Sequence, residues 1–390
     1  MHADGFKGQG MLIAILDNGY TGIDKHTPFK HLWDSSRIVA TRDFVENSNN
    51  VFQYGDHGTA VLSIIGSRYE SEEGDLIGIA PEASFILCVT EENGSEDRVE
   101  EYNWLLGAEY ADSLGADVIN TSLGYKTFEI PQHDYTPDQL DGATSIISIA
   151  ANKAATKGMI IVTSAGNSGR RQAPSNLMSH PADAEGILTV GSVNGGFQRS
   201  SFSSIGPTAD GRIKPEVAAF GSGTTVFKGR GAIERGDGTS FASPLIAGFA
   251  ACMWQMHPDK TYEELISMIK QSGHQSTQPD TLLGWGVPHY AYMKANKKLD
   301  LDDIFAGKVL FYPYPFKEDS LILTSKGEFE DEVNIRIMDP NGSLIYNETY
   351  AEDEMKTELE LSVDGSQQGV YFLFLQVGTT EQKIVKLINF

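Results

Sequence analysis

Five apolar runs of strand character, interleaved with segments of helical periodicity, dominate the first 295 residues of this 390-residue chain. They are "MLIAILD" (11–17), "SFILCV" (84–89), "DVINTSL" (117–123), "MIIVTSA" (159–165) and "ILTVGSV" (187–193). Each run is continuous rather than alternating, the pattern of a parallel strand buried on both faces. Apolar residues at helical spacing fill the gaps at 57–66, about 98–114, 143–157, 240–256 and 261–271. This succession predicts an α/β fold, a mostly parallel sheet flanked by helices, whose ligands bind beyond the carboxyl ends of the strands. The segment Gly8-Gln9-Gly10 precedes its strand instead of joining strand to helix, so it is not read as a dinucleotide loop.

Beyond residue 300 the pattern changes. Period-two alternation appears in "VNIRIMD" (333–339) and "TELELSV" (357–363), with the turn "DPNG" (339–342) between strands and no long helix. Residues 301–390 carry 17 acidic against seven basic residues, a denser negative charge than the rest of the chain. The length also exceeds one typical core. The expected organisation is an α/β domain over 1–299, a linker over 300–309 around "DLDDIFAGK", and a small antiparallel β-sandwich domain over 310–390.

A net charge of −23 argues against nucleic acid or an anionic membrane as partner, since both would repel the chain. No run approaches the length of a membrane span. The N-terminus, "MHADGFKGQGMLIAILD", has no basic leader region or long apolar stretch and is not read as a signal peptide. Cys88 and Cys252 lie in apolar runs and read as small buried core residues.

Four positions carry reactive side chains at the end of a strand or the start of a helix. Asp17 closes the first strand, His57 opens "HGTAVLSIIG", and Asn167 sits in the Gly-rich turn of "VTSAGNSG". Ser240 lies in "GDGTSFASPLIAGFAA", just before a helix whose Ala242, Leu245, Ile246, Phe249 and Ala250 form one apolar face. Each has a local explanation when taken alone, as a turn former, a structural histidine or a helix cap. Together they supply a hydroxyl nucleophile, a base to activate it, a carboxylate to hold that base, and a donor for an oxyanion. Pro244 is expected to fix the first helical turn so that Ser240 projects from its positive end, with Gly238 giving a sharp turn and close backbone approach.

The blocks "IAILDNGY", "HGTAVLSIIG", "DVINTSLG", "IIVTSAGNSG", "SSIGPTADGRIKPEVAAFG" and "GTSFASPLIAG" resemble the successive landmarks of the subtilisin-like serine proteases, the subtilases, over roughly residues 5–295. The resemblance implies a serine endopeptidase acting on peptide or protein substrates through an acyl-enzyme. Ser240 would be the nucleophile, His57 the general base and Asp17 the carboxylate that orients it. Asn167 would form the oxyanion hole with the Ser240 backbone N–H. Ser122, Leu123 and Gly124 would be the edge strand that pairs with substrate backbone; Ser164, Ala165 and Gly166 would wall the S1 pocket, with Ser179 at its floor. The chain departs from the family pattern at Asn18, where threonine or serine is usual, and after His57, where a second histidine is frequent. Subtilases are made with a signal peptide and a folding prosegment, so the chain is expected to be a mature form or a fragment. No cofactor is required, although the acidic loop "YESEEGD" (69–75) is a candidate for structural calcium without a diagnostic ligand spacing. A catalytically silent surface binding protein is the competing reading, and intact Asp17, His57, Asn167 and Ser240 argue against it. A serine-carboxyl peptidase would need acidic residues in place of His57 and Asn167.

The tail segments "IMDPNGSLIYN" (337–347) and "GVYFLFLQVGTTEQKIVKLINF" (369–390), the latter with Lys383 and Lys386, resemble the C-terminal sorting domains of the type IX secretion system. That likeness implies the secretion machinery as a partner and a secreted or cell-surface location.

Overall fold

The computed structural model describes residues 1–70, 74–293, 299–300, 314–316, 320–324, 331–351, 354, 358–363, 369–378 and 381–389. The chain forms two compact units, Met1–Pro288 and His289–Phe390. In the first, β1 (Leu12–Asp17), α1 (Thr27–Asp34), β2 (Ile38–Asp43) and α2 (His57–Gly66) precede the short pair β3 (Arg68–Tyr69) and β4 (Leu76–Ile77). β5 (Ser84–Val89), α3 (Val99–Ser113), β6 (Val118–Thr121), α4 (Ile146–Ala155), β7 (Ile160–Ser164) and β8 (Leu188–Val193) follow. β9 (Val217–Phe220), the hairpin β10 (Thr224–Lys228) and β11 (Ala232–Gly236), α5 (Thr239–Met256) and α6 (Tyr262–Gln271) complete the unit. All five expected strands and all five expected helices are present. β2 and β9 were not anticipated: β2 is a half-exposed edge strand with a mixed sequence, and β9 has only four residues.

Seven parallel strands form one sheet in the order β2-β5-β1-β6-β7-β8-β9. The chain fills one side of β1 with β5 and β2, then crosses to β6 and proceeds outward. β1 therefore lies at the switch in direction, where an open α/β sheet leaves a crevice beyond its strand ends. Asp17 is the last residue of β1 and is fully buried. Ala14 and Leu16 join one core cluster with Trp104 of α3 and Ile147 of α4. The pleat turns Ile13 and Ile15 to the other face, where α2 and α5 pack. α5 runs across β6 to β9 on that face, which its near-continuous small and apolar surface permits.

The second unit contains α7 (Tyr290–Met293), β12 (Leu299–Asp300), β13 (Tyr314–Phe316), β14 (Ser320–Thr324), β15 (Val333–Met338), β16 (Leu344–Tyr350), β17 (Glu358–Ser362), β18 (Gly369–Val377) and β19 (Glu381–Asn389). They form two sheets, β13-β19-β18-β15-β16 and β12-β14-β17. Leu321, Leu323 and Leu361 of the smaller sheet share one apolar cluster with Val333, Ile335, Leu373 and Leu375 of the larger, the core of a sandwich. Pairing is antiparallel except for β12–β14 and β13–β19, which are parallel additions to the expected meander. The compact units divide at 288/289 rather than near 299, and the expected linker beyond residue 300 lies outside the described residues. Among the described residues no helix is long and apolar enough to cross a membrane. Cys88 and Cys252 are buried and free. The acidic loop 69–75 falls partly outside the described residues.

A lysine–glutamate ion pair is buried in the first unit. Lys214 Nζ lies 2.7 Å from Glu216 Oε1, and Glu216 Oε2 also accepts the Thr189 N–H at 2.8 Å, beside β8. Burial lowers the Lys214 pKa, and the Glu216 charge works against that shift. Lys214→Met leaves a buried carboxylate without its cation and is expected to cost about 3–5 kcal/mol. Lowering of the urea midpoint measures it; a double variant, Lys214→Met with Glu216→Leu, should recover part of the loss.

Candidate active site

Asp17, at the end of β1, has no exposed surface, so its charge must be met from within the protein. Oδ1 accepts the Asn18 N–H at 2.8 Å and the His57 Nδ1–H at 2.8 Å. His57 can reach this carboxylate because the residue after it is glycine. A Cβ on Gly58 would lie 2.6 Å from the Gly19 carbonyl oxygen and 3.1 Å from Asp17 Cβ, so only hydrogen lets α2 approach β1 this closely. Asn18, the departure noted in the sequence, has a structural use here. Its Oδ1 accepts the His57 backbone N–H at 3.3 Å, capping a helix whose own N-cap residue, Asp56, makes no side-chain cap bond. Asn18 is held in turn by reciprocal bonds with Asn93, both 2.9 Å.

Burial lowers the pKa of His57, and the charge of Lys228 lowers it further. The charge and hydrogen bond of Asp17, with a smaller contribution from Asp56, outweigh both and leave it raised above 6.5. Phe241 lies against the imidazole, ring centroids 5.8 Å apart. His57 is thus a partly exposed base with one face covered and Nδ1 committed to a carboxylate.

Ser240 is the second residue of α5, and the N-cap position belongs to Gly238. The serine is therefore not a cap. Pro244 lies in the second turn, not the first, and its missing N–H is the one that would have bonded the Ser240 carbonyl. The Ser122 hydroxyl takes that place, donating to Ser240 O at 2.9 Å. In return the Ser240 hydroxyl donates to Ser122 O at 3.2 Å. Gly238 has φ 160°, extended backbone open to any residue, and a Cβ there would meet nothing closer than 3.7 Å. Its expected sharp turn is not observed.

Asn167 follows β7, and its Oδ1 accepts from the Thr239 N–H at 2.9 Å and the Thr239 hydroxyl at 3.1 Å. With the oxygen so committed, the Nδ2 donors are left for the cleft. Ser122, Leu123, Gly124, Ser164, Gly166, Asn167, Ser179 and Ser240 line one cavity of about 570 Å³. Ala165 is fully buried and lies behind that wall rather than on its surface. The geometry missed from sequence comes from Gly58, Asn18, Asn93, Thr239 and Phe241. Of these, Asn18 stood out only as a departure from the family pattern, and Gly58, Thr239 and Phe241 only as neighbours of His57 and Ser240.

A hydroxyl in the first turn of a helix and an amide donor line one cavity, and a carboxylate-bound imidazole lies against Phe241, the next residue after that hydroxyl. Two outcomes follow from the Asp17–His57 contact. Gly58→Ala should force the two apart, and NMR titration of His57 should then show a pKa no longer raised. The native pair contributes stability in full below the unfolded histidine pKa of about 6.5, and that contribution is lost as pH rises through the raised folded value. The urea midpoint of the wild type, referenced to His57→Gln, should accordingly fall as pH increases across that interval.

The profile described as the Subtilase family matches residues 8–286, and that of the Secretion system C-terminal sorting domain matches residues 310–389. Subtilisin NAT of Bacillus subtilis subsp. natto is 31% identical over 275 residues, covering 70% of this chain and 62% of the relative. Subtilisin of Bacillus pumilus is 30% identical over 275 residues, covering 70% of this chain and 86% of the relative. The chain thus spans 62% of the length of the first of these relatives. Among solved structures, MycP1 from Mycobacterium smegmatis superposes with a TM-score of 0.58 at 25% identity, over 75% of this chain and 81% of that one. The self-cleaved protease domain of PatA shares the fold, with a TM-score of 0.56 at 23% identity over 74% of this chain and 96% of its own. The chain belongs to the subtilase family and carries a C-terminal secretion sorting domain.

Proposed function

We propose that this protein is a secreted or surface serine endopeptidase that hydrolyses peptide bonds through an acyl-enzyme on Ser240. The observation that carries the reading is the 2.8 Å contact between buried Asp17 and His57, whose imidazole lies against Phe241, the residue after Ser240, while Ser240 and the oriented Asn167 amide line one cavity. Ser122–Gly124 follows the end of β6, a central strand, instead of forming the expected edge strand. An extended peptide pairs its backbone with that segment, a mode that gives affinity through main-chain hydrogen bonds. Ser240 Oγ attacks the scissile carbonyl carbon while its proton passes to His57 Nε2. The new oxyanion is held by Asn167 Nδ2–H and the Ser240 N–H at the positive end of α5. His57 then protonates the leaving amine as the C–N bond breaks. Water, deprotonated by the same imidazole, hydrolyses the ester and returns the proton to Ser240. Asp17 holds the imidazole through Nδ1 and stabilises its charged form.

In the resting geometry the Ser240 hydroxyl points to Ser122 O, so a rotation about its Cα–Cβ bond precedes attack. A fluorophosphonate probe tests whether that rotation is available: labelling of Ser240 supports the enzyme, and none would favour the silent binding protein. Ser240→Ala should lower kcat by a factor on the order of 10⁶, as in subtilisin. Asn167→Ala should cost roughly 10²–10³, because the backbone donor remains. Since only neutral His57 accepts the serine proton, kcat/KM should rise with pH through a midpoint above 6.5. An optimum near pH 4, recorded from about pH 4 to 10, would contradict a histidine base.

For the second unit we propose recognition by the type IX secretion machinery, followed by release at the cell surface. None of the proposed catalytic residues lies in it. A chain ending at residue 300 should keep peptidase activity in vitro when folded. Expressed with a leader in a host that has the machinery, it should stay in the periplasm, and normal surface delivery would rule out sorting by this domain.

A further inference from the structure

The cavity at Ser240 carries charges of both signs, and they are segregated. Lys126 and Arg171 line one part of it. Lys126 Nζ donates to Ser175 O and Leu177 O, both at 3.2 Å, in the loop that brings Ser179 to the cavity. That leaves one of its three N–H groups uncommitted. Arg171 is exposed. Among the described residues neither cation has a carboxylate within ion-pair distance. Burial, and then the charge of Arg171, lowers the pKa of Lys126, so the two cations face each other without a neutralising anion. Glu96 and Glu129 line another part of the cavity, tied together by the Glu129 N–H bond to Glu96 O at 3.0 Å. Burial alone raises the pKa of Glu96, and no cation relieves it.

We propose that this cavity receives the substrate side chain immediately before the scissile bond, and that Lys126 and Arg171 select a carboxylate there, aspartate or glutamate. The proposal rests on the peptidase reading above and names the substrate class of that site. An entering carboxylate relieves the repulsion between the two cations and takes the free Lys126 N–H. The planar guanidinium of Arg171 suits two-point contact with the same group. A lysine or arginine side chain at this position meets two like charges. The pocket also disfavours flat rings. Ser179 Oγ lies between its walls, 2.3 Å from where a Cβ of Gly124 would stand and 3.1 Å from that of Gly166. An aromatic plane has no room between those glycines at that depth.

The test uses the full chain and two peptides identical except for glutamate or glutamine before the scissile bond, a change of charge with little change of shape. Cleavage of the glutamate peptide should exceed that of the glutamine peptide by about tenfold or more in kcat/KM, as expected for a charge-assisted contact. The ratio should shrink in high salt. Arg171→Gln should reduce it, and Arg171→Glu should turn it toward lysine; Lys126→Met provides a second, independent loss. A parallel arm measures fluorescence anisotropy of both peptides with Ser240→Ala, where no chemistry intervenes. Cleavage without preference for glutamate, or a preference untouched by both substitutions, overturns the inference and leaves the peptidase intact. Absence of cleavage and of fluorophosphonate labelling removes the peptidase reading. The binding arm still decides the pocket in that case: tighter glutamate binding supports it, and equal binding overturns it.

Discussion

The site depends on one buried charge. Removing a carboxylate from water costs several kcal/mol unless donors are supplied inside. Asp17 is fully buried, and its Oδ1 receives a backbone N–H and the imidazole N–H. Oδ2 is buried and takes no hydrogen bond from the described residues, so the carboxylate's remaining electrostatic demand falls on His57. β1 must therefore be central enough to exclude water, and α2 must come close enough to deliver a ring. The absence of a side chain on Gly58 and the capping amide of Asn18 both serve that approach.

A second requirement of the proposed mechanism is that the Ser240 hydroxyl and the segment Ser122–Gly124 keep a fixed relation. α5 is anchored across the sheet by its buried face, yet Pro244 breaks its ladder one turn past the serine. The carbonyl released there is the one that Ser122 binds. Thr239, between the N-cap and Ser240, holds the Asn167 amide. Hydroxyl, amide and the segment after β6 are thus tied by side chains that perform no proposed chemistry.

Much of this was legible because buried parallel strands announce themselves as continuous apolar runs, and because reactive residues at strand ends stand out against them. Asp17, His57, Asn167 and Ser240 were singled out because each sits at the end of a strand or the start of a helix and because together they resemble the landmark residues of the subtilases. The edge strand β2 was not, since half exposure leaves its sequence mixed, and β9 is too short to register. Reasons for individual residues fared less well. Gly238 and Pro244 were given plausible local roles, but backbone torsion and helix register decide otherwise. Long-range partners such as Ser122 with Ser240, or Asn18 with Asn93, leave no trace in spacing, because their contacts span 118 and 75 residues. The Lys214–Glu216 pair is close in sequence, but nothing local marks it as interior rather than solvated.

The reciprocal bonds between Ser122 and Ser240 imply a form of latency. A hydroxyl engaged with a backbone carbonyl shares no proton with the imidazole, so its oxygen stays weakly nucleophilic. That same carbonyl belongs to the segment after β6 on which an extended peptide would lie in the proposed mechanism. A peptide on that segment and the resting serine hydroxyl then compete for one acceptor, so occupancy by substrate releases the hydroxyl toward the imidazole.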